Sequence, residues 1–236
     1  MNVPYTVCHI LSALDGRISG AFMGLDSVHD AAASYARIRF DYQADAWVYG
    51  STTTREFVSA AAPYPRSLSS DVPSDFAAEK DAGLYYVSVD PKGEIGWSSP
   101  TFIRPGCPEA HVIEVLLEDA PDAYREYLRE RGISYLTCGR QTLNCRLLKE
   151  KLYAHFGVRT MLVCGGGAIN WSFLEQHELD ELGLSLAPAG GGGPSSPAVF
   201  QRSAFSRTES PAGFRLKEIN KVGQDLIHLI YQVNDR

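Results

Sequence analysis

A glycine triplet after a short apolar run is the segment whose residue types most clearly suggest chemistry. It reads Met161-Leu162-Val163-Cys164-Gly165-Gly166-Gly167-Ala168-Ile169-Asn170. A buried strand that passes through glycines into a helix lets the backbone approach a ligand and points N–H groups at an anion such as a pyrophosphate. The alternative is a tight turn that needs positive φ and binds nothing. The segment is not the G-x-G-x-x-G fingerprint, because Asn170 stands where the third glycine belongs, and the chain has no Walker-type P-loop.

A second strand-to-helix junction combines hydroxyl side chains with a cation. It reads Tyr49-Gly50-Ser51-Thr52-Thr53-Thr54-Arg55. Hydroxyls at the start of a helix suit an N-cap, so simple capping by Ser51 or Thr52 is the alternative to an anion site. Because ligands of open α/β sheets bind at the carboxyl ends of strands, the two junctions together predict a shared ligand crevice.

The first predicted strand ends in a third candidate, Leu14-Asp15-Gly16-Arg17. An Asp-Gly dipeptide is usually only a turn, so a chemical role for Asp15 needs support from elsewhere in the chain. The six histidines form neither a metal-ligand pattern nor a catalytic triad, and the chain has no G-x-S-x-G elbow. We therefore expect no metal site and no hydrolase chemistry.

Short apolar runs alternate with segments of helical period, which predicts an α/β fold with a mainly parallel sheet and a terminal antiparallel hairpin. Strands are predicted at about residues 5–11, 46–49, 84–89, 112–117, 134–137, 160–164, 182–186, 214–222 and 226–233. Helices are predicted at about residues 30–42, from 51, within 119–132, at 144–156 and from the glycine triplet to 176. A proline- and serine-rich loop at 61–82 is too long for a simple connection and is a candidate to shape a pocket or an interface. The chain has no repeat and no linker, so we expect a single domain over residues 1–236.

The composition disfavours several classes of protein. A net charge of -6 and a pI near 5.5 are opposite to the basic footprint of a nucleic-acid-binding protein. The hydrophobic fraction of 44% and the charged fraction of 21% argue against intrinsic disorder. The five cysteines are odd in number and form no C-x-x-C pair, which indicates reduced thiols in a cytoplasmic protein. No stretch approaches the ~20 apolar residues of a membrane span.

Four segments occur in a fixed order that covers nearly the whole chain. They are Ser12-Ala13-Leu14-Asp15-Gly16-Arg17-Ile18, Ala44-Asp45-Ala46-Trp47-Val48-Tyr49-Gly50-Ser51-Thr52-Thr53, Leu162-Val163-Cys164-Gly165-Gly166-Gly167, and Leu179-Asp180-Glu181-Leu182 with Leu186-Ala187-Pro188 before a glycine run. As an ordered set they resemble the reductase domain of riboflavin biosynthesis. The resemblance implies a dihydrofolate-reductase-like fold with a mixed, mainly parallel sheet, flanking helices and C-terminal antiparallel strands. It also implies NADPH as hydride donor, a small-molecule substrate and a homodimer.

The resemblance assigns roles to individual positions. The pyrophosphate would lie on Gly165, Gly166, Gly167, Ala168 and Ile169. Gly50 and Thr53 would also face the cofactor, and Asp90 would lie near its adenosine part. Asp15 would lie beside the nicotinamide and the substrate, where it polarises or protonates the acceptor. The candidate substrate contacts are Ser12, Arg17, Arg37, Arg55 and Cys164. Lys92 is either a solvated turn lysine or a partner for a 2′-phosphate.

Two positions depart from the family pattern and keep other functions open. Phe57 and Cys164 stand where the pathway enzymes usually carry carboxylates. A phenyl ring accepts no hydrogen bond from a ribose or pyrimidine, and a neutral thiol is a poor substitute for a carboxylate. The leading hypothesis is therefore an NADPH-dependent reductase of the pathway substrate or of a related heterocycle. The alternatives are a non-catalytic nucleotide-binding paralogue and a dihydrofolate reductase. The zinc deaminase signature is absent, so we expect no deamination.

Overall fold

The computed structural model describes residues 3–58, 72–79, 81–193, 195–203, 206 and 211–234. Its strands are β1 (Tyr5–Ser12), β2 (Ala46–Gly50), β3 (Tyr85–Val89), β4 (Thr101–Phe102), β5 (Ala110–Leu116), β6 (Ser134–Thr137), β7 (Thr160–Val163), β8 (Glu181–Leu186), β9 (Phe214–Val222) and β10 (Leu226–Val233). Its α-helices are α1 (Asp26–Asp41), α2 (Ser51–Phe57), α3 (Asp122–Glu130), α4 (Cys145–Phe156) and α5 (Gly167–Glu175), and a 3₁₀ turn at Ala21–Gly24 precedes α1. None of these helices has the length and apolar composition needed to cross a bilayer.

The chain divides into two compact units. The first consists of Met1–Pro4 and Asp45–Met161, and the second of Tyr5–Ala44 and Leu162–Arg236. Strand β7 therefore contributes its first two residues to the first unit and its last two to the second.

In the first unit, β2, β3, β5 and β6 form a run of parallel neighbours in that order, and β4 lies antiparallel to β5. Every residue of β2 and β3 is buried. Strands with both faces covered are expected to be continuously apolar, as these two nearly are. Helix α2 packs on β2 and β3, and α3 packs on β6.

In the second unit, β1 lies parallel to β8, whose other neighbour β10 is antiparallel and forms a hairpin with β9. Helix α1 packs on β1. The core of this unit is apolar and draws on both α1 and the strands: Leu11, Ala13, Phe22, Val28, Ala31, Ala187, Ala189 and Leu226.

The fold class predicted from the sequence is confirmed, with corrections to single elements. Helix α1 begins at Asp26 rather than near residue 30, because Val28 already packs in the core. Strand β4 is not predicted, since two residues are too few to show a period. The N-cap of α2 is Gly50 and no side chain caps the helix, so the structure does not support the alternative of capping by the Ser51 or Thr52 hydroxyl.

The predicted 61–82 loop lies partly outside the described residues, including its prolines at 63 and 65. Within the described part, residues 72–79 pair with β6 through a bridge between Phe76 and Tyr135. Asp75 accepts a hydrogen bond from the N–H of Thr137 at 2.8 Å and pairs with Lys151 at 2.7 Å. This segment is therefore held by specific contacts rather than by apolar burial alone.

Candidate functional site

The glycine triplet forms a sharp corner between β7 and α5 in the second unit. Gly165 is buried and has a φ of 109°, a region that side-chain-bearing residues rarely adopt, and the peptide bond to Gly166 is cis. A Cβ atom at Gly165 would lie 3.3 Å from Cδ1 of Ile10. Gly166 is the N-cap of α5 and no side chain caps the helix. The backbone of the corner is thus left without the usual capping group.

The N–H groups at the corner are available to a ligand. Those of Gly165, Gly166, Gly167 and Ala168 have no acceptor within the described parts of the chain, whereas Asn170 donates to the carbonyl of Gly166 at 3.1 Å. Unpaired donors at a helix N-terminus, backed by the helix dipole, form a ready anion site. Ala168 is exposed and Gly166 is half-buried, so solvent reaches the corner. This arrangement fits the predicted phosphate site.

A strap of residues 196–201 fastens the first turn of α5. The N–H of Gln201 donates to the carbonyl of Gly167 at 3.1 Å, and the side-chain amide of Asn170 donates to the carbonyl of Val199 at 2.7 Å. A Cβ at Gly167 would lie 2.3 Å from the carbonyl oxygen of Ala198, so only glycine permits this approach. Asn170 stands where the dinucleotide fingerprint has its third glycine, and its side chain therefore holds the strap against helix α5.

Asp15 lies in the exposed turn after β1 and accepts backbone hydrogen bonds from a distant loop. Its carboxylate oxygens accept from the N–H of Gly192 at 2.9 Å and of Gly191 at 3.1 Å. Together with the N–H of Arg17, these donors lower the pKa of Asp15, with the bond from Gly192 the largest cause. Asp15 is thus held as a carboxylate that anchors the glycine loop.

The strap links this turn to the glycine corner. Arg17 donates from Nη1 to the carbonyl of Ser196 at 2.5 Å and forms a backbone bridge with Ala198. Since Ala198 also lies against Gly167, the structure connects Asp15, Arg17 and the corner within one unit.

The other predicted residues of this unit have separate environments. Ser12 is fully buried and its hydroxyl has no partner in the described structure. Cys164 is buried and its thiol points to the carbonyl of Leu162 at 3.8 Å. Arg37 lies on α1 and donates to the hydroxyl of Ser34 at 3.0 Å.

In the first unit, the predicted residues converge on the loop after β3. Asp90 accepts hydrogen bonds from the N–H groups of Glu94 and Ile95, the latter at 2.8 Å. Glu94 in turn forms an ion pair with Arg55 on α2, whose N-cap is Gly50. Thr53, two residues before Arg55, is half-buried and Lys92 is exposed.

Asp90 belongs to a buried carboxyl pair that the sequence did not predict. Its relative exposure is 1%, and Glu114 beside it is fully buried. Burial raises the pKa of both groups, and Asp90 raises that of Glu114 further. Nε1 of Trp97 donates to Glu114 at 2.7 Å. The Asp90 carboxyl thus faces the interior, and a direct contact with a cofactor stays a prediction.

Phe57, which replaces a family carboxylate, lies in an aromatic cluster. Its ring is 6.0 Å from that of Tyr49 and 6.1 Å from that of Phe102, and the guanidinium of Arg104 lies 4.1 Å from its centre. The position thus contributes apolar and cation–π contacts instead of a hydrogen-bond acceptor. Within the described ranges, no group of three or more acidic, histidine or cysteine side chains is arranged to hold a metal.

The comparisons with known proteins agree with this fold. A family model described as the RibD C-terminal domain matches residues 109–228, slightly more than half of the chain. A 2,5-diamino-6-ribosylamino-4(3H)-pyrimidinone 5′-phosphate reductase of Aquifex aeolicus is 29% identical over 119 residues, which are 50% of this chain and 53% of that protein. A reductase of the same name from Methanothermobacter thermautotrophicus is 26% identical over 119 residues, 50% and 54% of the two chains. The chain spans about half the length of these curated relatives.

Two solved structures share the fold over nearly the whole chain. A pyrimidine reductase-like protein of Corynebacterium diphtheriae aligns with a TM-score of 0.66 at 18% identity, covering 99% of this chain and 93% of that one. The riboflavin biosynthesis reductase Rib7 of Saccharomyces cerevisiae aligns with a TM-score of 0.59 at 16% identity, covering 98% and 90%. At these identities the likeness is one of fold, and it is the dihydrofolate-reductase-like fold that the sequence predicted. The family itself is identified by the sequence model: the chain belongs to the RibD C-terminal domain family.

Proposed function

We propose that the chain is an NADPH-dependent reductase of riboflavin biosynthesis that acts on a ribosylamino-pyrimidine 5′-phosphate. Membership of the RibD C-terminal domain family and the names of the two curated relatives support this function. The observation that carries it is the corner at residues 165–168, where four N–H groups at the start of a helix have no acceptor among the residues that the structure describes. A dinucleotide pyrophosphate is an anion that matches these donors.

The residues at the corner fit a dinucleotide, which would supply the hydride for the reduction. The N–H groups of Gly165, Gly166, Gly167 and Ala168 would hold its pyrophosphate, with Ile169 beside them. Gly50, Thr53 and Asp90 are the further cofactor contacts that the family resemblance implies. The exposed cation Lys92 is the proposed partner of a 2′-phosphate, which distinguishes NADPH from NADH.

Asp15 acts in this proposal as a carboxylate. Reduction of the ring-opened ribosylamine, a C=N group, adds a hydride to carbon and a proton to nitrogen. The lowered pKa of Asp15 favours its ionised form, which cannot donate that proton but accepts a hydrogen bond from a protonated nitrogen. Of the two predicted roles, polarising the acceptor therefore agrees better with the structure than protonating it.

The proposed substrate contacts are Ser12, Arg17, Arg37, Arg55 and Cys164. Arg17 and Arg55 already form strong polar contacts, to the Ser196 carbonyl and to Glu94, so a substrate phosphate would compete with these partners. As the family resemblance implies, we further propose that the chain works as one reductase domain, as a homodimer and in the cytoplasm.

A second candidate function is favoured by Phe57. Its aromatic cluster with Arg104 leaves no acceptor at a position where the pathway enzymes usually carry a carboxylate. A nucleotide-binding paralogue without catalytic activity would tolerate this loss.

Steady-state oxidation of NADPH tests the proposal. The purified chain is assayed with 2,5-diamino-6-ribosylamino-4(3H)-pyrimidinone 5′-phosphate, with its deaminated analogue and with dihydrofolate. Turnover with either pyrimidine supports the proposed reductase. Binding of NADPH without turnover of any of the three substrates would favour the non-catalytic paralogue. Turnover of dihydrofolate alone would identify a dihydrofolate reductase.

A further inference from the structure

The loop that follows β3 in the first unit is closed by a buried carboxylate. Asp90 is 1% exposed, and its Oδ2 accepts hydrogen bonds from the N–H groups of Glu94 and Ile95, the latter at 2.8 Å. The N–H of Gly93 donates to the backbone carbonyl of Asp90 at 3.1 Å. These bonds close residues 90–95 into a compact turn, which we call the Asp90 loop.

Two helices hold the Asp90 loop in place. Oη of Tyr124 on α3 donates to the carbonyl of Ile95 at 2.7 Å. Gly93 has a φ of 70°, and a Cβ atom there would clash with the ring of Tyr124, so the glycine packs directly on that ring. Glu94 forms an ion pair with Arg55 on α2. The position of the loop therefore depends on both helices.

Glu114 on β5 lacks the hydrogen-bond donors that a buried carboxylate needs. It is fully buried, and Nε1 of Trp97 donates to its Oε2 at 2.7 Å. Its Oε1 lies 3.5 Å from Oη of Tyr124, but the single proton of that hydroxyl is already donated to Ile95. The hydroxyl of Ser88 on β3 is close to Glu114 but out of hydrogen-bonding geometry. Within the described structure Oε1 is thus left without a donor, which disfavours the ionised form.

The side chains of Asp90 and Glu114 are in hydrogen-bonding contact, which requires that one of them carries a proton. Ionised carboxylates only accept hydrogen bonds. Burial raises the pKa of both groups, but on Asp90 the two N–H donors and the charge of Arg55 oppose this effect. On Glu114 the charge of Asp90 adds to the effect of burial. The proton therefore belongs on Glu114, which donates it to Asp90.

Lys92 is the residue of the Asp90 loop that can meet a ligand. It is exposed, and its side chain forms no ion pair with any residue that the structure describes. The proposed function assigns it to the 2′-phosphate of NADPH, which NADH lacks. Because a charge-assisted hydrogen bond needs a short donor–acceptor distance, this contact depends on where the loop places Lys92. The carboxyl pair that fixes the loop therefore bears on the choice between the two nucleotides.

We propose that Glu114 is a positioning residue for cofactor choice: by donating its proton to Asp90 it fixes the Asp90 loop and so holds Lys92 at the 2′-phosphate of NADPH. Glu114 does not touch the cofactor and acts only through the loop. This inference rests on the proposed function and adds to it the residue that sets the preference for NADPH over NADH.

Calorimetric titration of the purified full chain with NADPH and with NADH tests the inference. Glu114→Gln keeps a donor for Asp90 and an acceptor for Trp97, whereas Glu114→Met fills a similar volume with neither. We expect Glu114→Gln to bind NADPH within about 2-fold of the wild type and Glu114→Met to bind it at least about 10-fold more weakly. Affinity for NADH should stay within about 2-fold in both variants. A side chain that served packing alone would give the opposite order, because methionine is the better apolar filler.

A double-mutant cycle with Lys92→Gln tests whether Glu114 acts through Lys92. Lys92→Gln alone should weaken NADPH binding by a similar factor. Combining it with Glu114→Met should cost no more than the larger of the two single changes, because both remove the same contact. Glu109→Met removes the charge of an exposed acid in the same unit and is the control, for which we expect wild-type affinities.

The outcomes separate the inference from the function on which it rests. A wild type that binds neither nucleotide would overturn both. A wild type that binds the two nucleotides equally would overturn the inference and leave the dinucleotide site standing. The same holds if Glu114→Met leaves NADPH binding unchanged, if Glu114→Gln loses as much affinity as Glu114→Met, or if the losses in the cycle add.

A measurement on the wild type replaces Glu114→Met if thermal unfolding shows that this variant does not fold. Rising pH removes the proton of Glu114 but cannot change Glu114→Gln, and the 2′-phosphate stays a dianion above neutral pH. The ratio of NADPH to NADH affinity should therefore fall from pH 7 to pH 9 in the wild type and stay constant in Glu114→Gln. Identical pH profiles of this ratio would overturn the inference.

Discussion

Asp15 follows strand β1 and Asp90 follows strand β3, and the pKa values of these two carboxyl groups are shifted in opposite directions. Both accept backbone N–H groups. Asp15 accepts from Arg17 and from Gly191 and Gly192 of a distant loop, and Asp90 accepts from Glu94 and Ile95 of the loop that follows it. The pKa of Asp15 is lowered, because it is exposed and hydrogen bonds dominate. The pKa of Asp90 is raised, because desolvation outweighs the same kind of bonds.

This difference separates a group that can meet a ligand from one that supports the structure. Asp15 keeps its charge in contact with solvent, close along the chain to Arg17 and the strap that leads to the glycine corner. Asp90 uses its oxygens to fix a loop and shares a buried environment with Glu114. The same residue type at two strand ends is thus exposed to solvent in one unit and buried against a loop in the other.

The largest expected effect comes from Asp15→Asn. Removing the charge while keeping the shape should lower kcat about 100-fold or more, since one pre-organised charged or polar group commonly contributes this much. The affinity for NADPH should change far less. Steady-state kinetics with Asp30→Asn, an exposed change on α1, as control measure this split, and unchanged turnover would remove Asp15 from the mechanism.

Ala168→Pro should have the next largest effect, because it deletes one N–H of the corner. Proline is tolerated in the first turn of a helix, so folding should survive. A lost hydrogen bond to a charged phosphate corresponds to a roughly 10- to 100-fold weaker binding of NADPH.

The matched control for this change is Ala123→Pro. Ala123 occupies the same second position of α3, also nine residues long, and its N–H likewise has no backbone acceptor in the described structure. Calorimetric titration should find its affinity for NADPH equal to that of the wild type. Equal weakening in both variants would mean that proline, and not the lost donor, causes the effect.

The smallest effect is expected from Glu114→Gln in the buried pair. Burial raises the folded-state pKa of Glu114, so its stabilising contribution is complete below the pKa of the unfolded chain and is lost as pH rises through the folded value. Glutamine keeps the shape and never ionises. The variant should therefore gain stability over the wild type with rising pH, by about 3 °C in Tm at mildly alkaline pH.

Thermal unfolding between pH 5 and 9 measures this gain. Glu109→Gln, an exposed position, is the control and should follow the wild type. If Tm changed with pH in the same way for Glu114→Gln and the wild type, Glu114 would be ionised in the folded protein. That result would contradict the difference drawn between the buried carboxyl pair and Asp15.

The sequence predicted elements well where local signals agree. The hairpin was predicted at residues 214–222 and 226–233, as the structure has it, because Ile227, Leu229, Tyr231 and Val233 alternate along its second strand. Helix α4 begins after Asn144, whose side chain accepts from the N–H of Leu147 at 2.9 Å, and ends at Gly157. The early start of α1 and the two-residue β4 depend on packing and pairing that no local window shows.

The sequence predicted the glycine corner but not the contacts that hold it. Neighbouring residues are enough to predict a strand, three glycines and a helix. The hydrogen bond from Asn170 to Val199, by contrast, joins residues 29 positions apart, and the one from Gly191 to Asp15 joins residues 176 positions apart. The burial of Asp90 beside Glu114 likewise depends on the pairing of β3 with β5. Long-range contacts of this kind carry no periodicity or spacing in the sequence.

Thermal unfolding of the purified chain with NADPH, with NADH and without nucleotide tests most directly whether the glycine corner binds a dinucleotide. A ligand at 100 times its dissociation constant adds about 2.7 kcal/mol of stability, which raises Tm by roughly 5–10 °C in a protein of this size. We predict such a rise with NADPH and a smaller one with NADH. No shift with either nucleotide at millimolar concentration would contradict the assignment of the corner.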